Sequence, residues 1–293
     1  MAASSSPPPS KRDEAPLAHK LTADGASVDA QVAALAKHYS ERAAAYERLW
    51  SPALQPVSSR LLERLPLMDA RDVIDVGTGT GAILPALHRA APRARILGVD
   101  NAEGMLRLAR ARHEGPLALT SVERLDLDSE QFDVALIAFV LFHLPHPKLC
   151  LGEVFRVLRP AGSVGTATWG AERWPDADEI WEEELTRTGA ETFRLPATAN
   201  RACCDSGPKM RDLLEVAGFT SISTWSETLQ HSWPPSDHFE YHVLVSSRSR
   251  LESLNSAARA ACLVSIRQRL EGCPNEAYVY TGDVIMATAR KPA

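Results

Sequence analysis

The chain has 293 residues, 45% apolar and 24% charged, with a formal net charge of −5. That balance suits an ordinary globular protein with enough apolar residues for a large core. The mild acidity and the lack of a polybasic run argue against a nucleic-acid binder, and no run of 18 apolar residues offers a membrane span.

Residues 1–26 are rich in Ser and Pro, carry Asp13 and Glu14, and lack an apolar h-region. They read as a disordered tail and not as a secretory signal. The five cysteines (Cys150, Cys203, Cys204, Cys262 and Cys273) are odd in number and form no C-x-x-C pair. Reduced thiols in a cytoplasmic protein are expected.

Helical periodicity starts near Ser27: Val28, Val32, Leu35, Tyr39, Ala43 and Tyr46 recur at steps of three and four. Trp50 extends the stripe, and Ser51-Pro52 is expected to break it. Leu61, Leu62 and Leu65 suggest a second helix before Pro66, so 27–68 reads as an N-terminal helical cap. The period then changes. Asp72 to Val76 reads as a strand, followed by Gly77-Thr78-Gly79-Thr80-Gly81 and a helix over 82–89. Arg95 to Val99 is a second strand ending in Asp100, then come a helix over 103–112 and a short strand over 117–120. The stretch 132–139 (FDVALIAF) is almost wholly apolar, as a central parallel strand covered on both faces requires. A helix over 147–158, the turn Arg159-Pro160-Ala161-Gly162 and a strand over 163–168 follow.

The last third is less regular. Helices are expected over 176–188 and 208–217, a strand over 219–225, helical segments over 236–247 and 251–270, and a final strand over 282–289. The alternation predicts a Rossmann-like, doubly wound α/β fold with a mostly parallel seven-stranded sheet and helices on both faces. Its core would be 69–226, completed by the last strand and C-terminus in 282–293. Residues 227–281 would be a helical insertion before that strand, covering a pocket. That insertion holds His231, Trp233, His238, Phe239 and Tyr241, a cluster suited to a pocket but equally to plain core packing.

The glycine loop lies where open α/β sheets bind ligands, at the carboxyl end of the first strand. Asp100, 19 residues after Gly81, ends the next strand, where a carboxylate can accept bonds from both ribose hydroxyls. These features alone leave a dinucleotide open, since Gly77, Gly79 and Ala82 also fit the G-x-G-x-x-G/A fingerprint.

Five segments stand in order: VIDVGTGTG (73–81), LGVD (97–100), FDVALIAFVLFHLPHP (132–147), EVFRVLRPAG (153–162) and ARKP (289–292). Together they resemble the class I S-adenosylmethionine-dependent methyltransferases, in particular the small-molecule group that includes the ubiquinone and menaquinone C-methyltransferases. The resemblance implies S-adenosyl-L-methionine as cofactor. It implies that Asp75 and Gly77 face its methionine part, that Gly79 gives close backbone passage, and that Asp100 binds the ribose. Asn101 and Met105 would border the adenine, and Phe139 the sulfonium end. Thr78, Gly81, Ser121 and Val122 complete the implied cofactor set. Ser121 stands where such proteins often carry an adenine-binding Asp, with Glu123 nearby as a substitute. Ala161 replaces a common glycine, which is tolerated if its φ is negative.

The implied reaction is in-line transfer of a methyl group to an oxygen, nitrogen or carbon of a small, partly apolar acceptor. His143 is the candidate base, since an imidazole of near-neutral pKa suits that task. Tyr39, Tyr46, Phe142, Trp169, His231, Trp233 and His238 are the expected acceptor-pocket residues. No metal is expected, because the sequence reads as holding no ligand cluster such as an H-x-x-x-H pair or a compact carboxylate set. A monomer or homodimer without nucleic-acid partners is expected. The competing readings are a non-catalytic cofactor-binding or scaffold protein and an NAD-dependent oxidoreductase.

Overall fold

The apolar run Phe132–Ala138 occupies the middle of a seven-stranded sheet, as a strand covered on both faces must. The structure, a computed structural model, describes residues 28–192 and 198–293, so the expected tail over 1–26 lies outside the described residues. The strands are β1 (Asp72–Val76), β2 (Arg95–Asp100), β3 (Leu117–Leu119), β4 (Phe132–Ala138), β5 (Leu158–Arg173), β6 (Thr220–Ser232) and β7 (Val279–Arg290). Their order is β3-β2-β1-β4-β5-β7-β6. β1 to β5 pair in parallel, and β7 runs antiparallel between β5 and β6. The order reverses between β1 and β4, which opens a crevice at their carboxyl ends. This is the Rossmann-like architecture expected from the alternation of periods.

Helices α1 (Val28–Leu49) and α2 (Ser51–Leu62) form the N-terminal cap, and α3 (Leu84–Ala90), α4 (Glu103–Ala109) and α5 (Pro147–Val157) connect the parallel strands. The second cap helix starts much earlier than expected. Ser51-Pro52 opens it instead of ending helical structure, because a proline in the first turn lacks an N–H that would be unsatisfied there anyway.

The helices α6 (Ala177–Arg187) and α7 (Gly207–Val216) follow β5. The inserted helices are α8 (Pro235–Tyr241), a π turn over His242–Ser246, α9 (Arg248–Glu252) and α10 (Ser256–Leu270). They span less chain than expected, since β6 runs on to Ser232 and pairs it with Val279 at the start of β7. The stretch Ser226–Ser232 is too polar to read as a buried strand, but β6 is a sheet edge and most of it is exposed or half-buried.

The cap docks on α4 through close backbone contact. A Cβ on Gly104 would stand 2.3 Å from the Ser40 carbonyl oxygen. The Gly104 N–H donates to Ser40 Oγ at 3.2 Å. Ala43, Ala102 and Met105 form a small buried cluster flanked by Tyr39 and Tyr46. Buried Arg42 donates to Ser249 Oγ at 2.8 Å, which ties α1 to α9. The cap and the insertion thus meet above the crevice. Among the described residues, no helix is long and apolar enough to cross a membrane.

Candidate active site

The glycine loop ends β1 by a change of hand. Gly77, Gly79 and Gly81 have φ of +75°, +57° and +73°. The N–H groups of Gly77 and Thr78 both donate to Val99 O, at 2.8 and 2.9 Å, binding the loop to the end of β2. At Gly77 a side chain is excluded twice: by its φ, and by Val140, whose Cγ2 would lie 2.2 Å from a Cβ.

Asp100 fastens this loop to the next helix. Its Oδ2 accepts from the Gly79 N–H and its Oδ1 from the Ala102 N–H, both at 2.8 Å. Burial raises its pKa, and the backbone donors at Ala102, Gly79 and Asn101 pull it back. A carboxylate has about four lone-pair sites, so each oxygen retains acceptor capacity. Asp75 is fully buried, and its Oδ2 has no hydrogen-bond partner. Burial pushes its pKa up to about 7, the Thr78 hydroxyl offsets part of this, and Asp100 adds to it.

These groups form one end of a cavity of about 330 Å³. Of the expected cofactor residues, Asp75, Gly77, Thr78, Gly79, Asp100 and Asn101 line it, as do Met105, Val122 and Phe139. An orphaned carboxylate oxygen at Asp75, a side-chain-free passage at Gly77 and a ribose-type carboxylate at Asp100 fit a cofactor with an ammonium end and a nucleoside end. Gly81 and Ser121 are not in the lining. Gly81 turns the chain beneath α4, where a Cβ would meet Ala109 at 3.0 Å. Ser121 is exposed, and its Oγ accepts from the Glu123 N–H at 3.3 Å. Glu123 also stays outside, accepting from the His146 N–H at 2.6 Å. Of the residues expected to border the adenine, Asn101 and Met105 therefore remain in the lining, together with Val122.

Beyond Phe139 the cavity becomes aromatic. Phe139 holds φ +60° and donates its N–H to Ala167 O at 2.8 Å, a strained turn that sets its ring 4.7 Å from Trp169. Tyr39, Tyr46, Phe142, His143 and Trp169, all candidates from the sequence, line this end. His143 Nε2 lies 2.8 Å from the Tyr39 hydroxyl, and its buried Nδ1 has no partner. Burial, then the charges of His38 and Arg201, push the His143 pKa down to about 3. Its imidazole is neutral at pH 7 and weakly basic, not poised near neutrality as expected.

Three expected pocket residues are absent from the lining. Trp233 is buried and stacks on Trp50 at 5.8 Å, forming a second layer. His231 packs edge-on against Trp233 at 4.6 Å. His238 is buried on α8, with Nε2 2.7 Å from Asp178 Oδ1, and His242 Nε2 lies 3.3 Å from the same oxygen. The expectation of no H-x-x-x-H pair is therefore corrected: His238 and His242 are one, a helical turn apart, with Asp178 of α6 as a third group of metal-ligating type. The three are joined by their own hydrogen bonds, and Ser247 Oγ meets His242 Nδ1 at 2.9 Å.

Trp50, Glu172, Trp174 and Arg201 also line the cavity, though nothing in the sequence marks them for it, and Tyr241 of the insertion's aromatic cluster joins them. Trp50 stands between α1 and α2, and Trp174 just after β5. Glu172 and Arg201 carry no motif. Glu172 accepts from the Tyr280 hydroxyl and pairs with Arg201. The turn residue Ala161 has φ +61°, so the tolerance expected for alanine at negative φ does not apply.

A methyltransferase-domain family model matches residues 74–165. The ubiquinone/menaquinone biosynthesis C-methyltransferase of Cupriavidus taiwanensis is 34% identical over 172 residues, covering 53% of this chain and 70% of the relative. That of Syntrophotalea carbinolica is 37% identical over 106 residues, covering 34% and 45%. The malonyl-[acyl-carrier protein] O-methyltransferase of Methylococcus capsulatus is 27% identical, covering 55% and 56%. The chain thus spans about half the length of some curated relatives it matches and 70% of others. A solved structure described as a type II methyltransferase from Anaeromyxobacter dehalogenans shares the fold at 20% identity and a TM-score of 0.54, covering 82% of this chain and 97% of that one. Motif order, sheet order, loop geometry and these likenesses agree, and the chain belongs to the S-adenosylmethionine-dependent methyltransferases.

Proposed function

We propose that this protein transfers the methyl group of S-adenosylmethionine to a small, partly apolar acceptor. One observation carries the reading. A single cavity joins a ribose- and ammonium-binding end, built by Asp75, Gly79 and Asp100, to an aromatic end beginning at Phe139. Bound across that cavity, the cofactor would supply a methyl group activated by a positively charged sulfur.

The residues would divide the work by position. Asp100 accepts from the ribose hydroxyls, and the Asp75 carboxylate meets the ammonium. Phe139 and Trp169 flank the transfer point and keep water away from it. His143 and Tyr39 present a neutral hydrogen-bonding pair to the acceptor. With a pKa near 3, His143 would hold the acceptor's proton-bearing atom in place and contribute little as a strong base.

The cover formed by 27–68 and by the helices between β6 and β7 would close over the acceptor, with 69–226 and the last strand as the core. All five cysteines are free, which fits a reducing compartment, and we place the protein in the cytoplasm as a monomer or homodimer.

Calorimetric titration tests the cofactor half of this reading. S-adenosylmethionine and S-adenosylhomocysteine should both bind, with no comparable response to NAD. Transfer of a labelled methyl group to a panel of small aromatic and aliphatic acceptors tests the other half. NAD binding without any response to the methyl donor would overturn it.

A further inference from the structure

We propose that the acceptor is a planar aromatic molecule bearing an anionic oxygen group, held by Arg201 while its ring lies against the tryptophan wall. This rests on the methyl-transfer reading and narrows its substrate class.

The wall is the first observation. Trp174, Trp50 and Trp233 form a stack, with interplanar angles of 17° and 8° and centroid separations of 6.1 and 5.8 Å. Trp233 closes the inner end of the stack, and Trp50 is buried at its centre. Trp174 is 42% exposed and lines the cavity, so it stands where an acceptor enters. Parallel indoles favour a flat ring laid in offset contact over a branched aliphatic chain.

The charges decide what that ring carries. An aromatic wall beside a glutamate would suit an ammonium acceptor, by cation–π attraction and ion pairing. Here the glutamate is already committed. One Glu172 oxygen accepts from the Tyr280 hydroxyl and the other pairs with Arg201. The Glu172 side chain is 7% exposed and that of Arg201 is 35% exposed. The guanidinium is therefore the open member of the pair. It carries five N–H donors in a fixed fork, more than one carboxylate oxygen can occupy. A cation arriving there would meet a cation. A carboxylate or phenolate would find donors matched to its shape.

Arg201 and His143 also share one chamber, since both line the same cavity. An acceptor anchored by its anionic group on Arg201 can thus direct a second group toward Tyr39 and His143, beside Phe139.

Binding of matched probes, measured by calorimetry and ligand-observed magnetic resonance with S-adenosylhomocysteine present, tests this. Salicylate should bind about tenfold more tightly than salicylamide, which lacks the carboxylate, or than cyclohexanecarboxylate, which lacks the flat ring. Benzylamine should bind worst. Arg201→Gln should abolish the preference of salicylate over salicylamide, and Arg201→Lys should restore part of it. Both should leave S-adenosylhomocysteine binding within about twofold, because that ligand occupies the other end of the cavity. Trp174→Leu, at an exposed site, should weaken salicylate and salicylamide alike; it serves if the Arg201 variants do not fold. Benzylamine binding more tightly than salicylate, or an unchanged preference in folded Arg201→Gln, would overturn the proposal. Salicylate binding that depends on Arg201 in a protein that takes up no S-adenosylhomocysteine would instead sink the methyl-transfer reading and leave the acid subsite standing.

Discussion

Replacing Asp100 by alanine separates its two duties. In the free protein the carboxylate joins Gly79 to Ala102 through two bonds of 2.8 Å. With cofactor bound it would also accept from two ribose hydroxyls. Each charge-assisted bond is worth roughly 1.5–3 kcal/mol, part of which water recovers in the variant. A net loss of about 1.4–2.8 kcal/mol corresponds to a 10- to 100-fold weaker affinity for S-adenosylhomocysteine. The structural duty adds a separate cost, about 1–3 kcal/mol for leaving two backbone donors without their acceptor, less where water reaches them. Asp100→Asn distinguishes the two. It keeps one acceptor oxygen but turns an NH₂ group toward one of the two N–H donors, so it should lose stability about as alanine does while keeping more of the S-adenosylhomocysteine affinity than alanine does. Calorimetric titration at several temperatures, alongside thermal unfolding, reads both quantities. If folded Asp100→Ala binds S-adenosylhomocysteine within about twofold of the unsubstituted protein, Asp100 only ties loop to helix, and the ribose assignment is wrong.

Four further outcomes are expected. Asp75 has a folded pKa of about 7, raised by burial above its unfolded value near 4. The proton it retains therefore stabilises the free fold fully below pH 4, and that contribution is lost as pH rises through 7. Asp75→Asn should flatten this slope in urea unfolding, and should also remove the rise in S-adenosylmethionine affinity as pH climbs through 7; parallel pH profiles for the two proteins would refute the assignment. Ala161 is exposed and holds φ +61°, so Ala161→Gly should stabilise by about 0.5–1 kcal/mol in the same assay, and a loss would contradict the strain argument. Gly104→Ala would drive a methyl into the Ser40 backbone, costing about 1–3 kcal/mol, loosening α1 and weakening cofactor binding; unchanged melting would mean that α1 shifts freely. Hydrogen exchange in the free protein should be faster in residues 30–50 and 236–250 than in β4, and should slow there on addition of S-adenosylhomocysteine; equal protection in both states would make the cover a fixed part of the core.

Much of the architecture is written in local pattern. The uninterrupted apolar run of β4 and the change from helical to alternating period near Asp72 both arise from a few neighbouring residues, so they mark a central strand and the start of the sheet without any tertiary information. The glycine loop and Asp100 are legible for the same reason: tight turns and strand ends depend on residues close in the chain. Where a boundary depended on what lies alongside, local pattern misled. Ser51-Pro52 reads equally as a helix end or a helix start, and packing against the sheet selects the start. The polar end of β6 is a strand only because β7 offers it a partner on one side and solvent takes the other. His238 and His242 stood in plain view at helical spacing, but it is Asp178, some 60 residues earlier, that gives the pair its meaning.

The glycine-loop end and the aromatic end of the cavity differ in origin. The first is assembled from β1, β2 and the loops that directly follow them, so one short stretch of sequence carries nearly all its chemistry. Ser121 and Gly81 look alike in the sequence as members of that set, yet side-chain direction and neighbouring backbone put both outside it. The second end draws Tyr39 from α1, Trp50 from the junction of the cap helices, Glu172 and Trp174 from the end of β5, Arg201 from the turn before α7 and Tyr241 from α8. No periodicity links residues so far apart. Sequence by itself determined the sheet and the cofactor loop, because backbone geometry and burial act over a few residues, and its ordered motifs pointed to the class of chemistry through their resemblance to a known family. The pairing of Arg201 with Glu172, the stack of three indoles and the suppressed basicity of His143 arise from desolvation and contact between distant segments, and only the tertiary structure decides them.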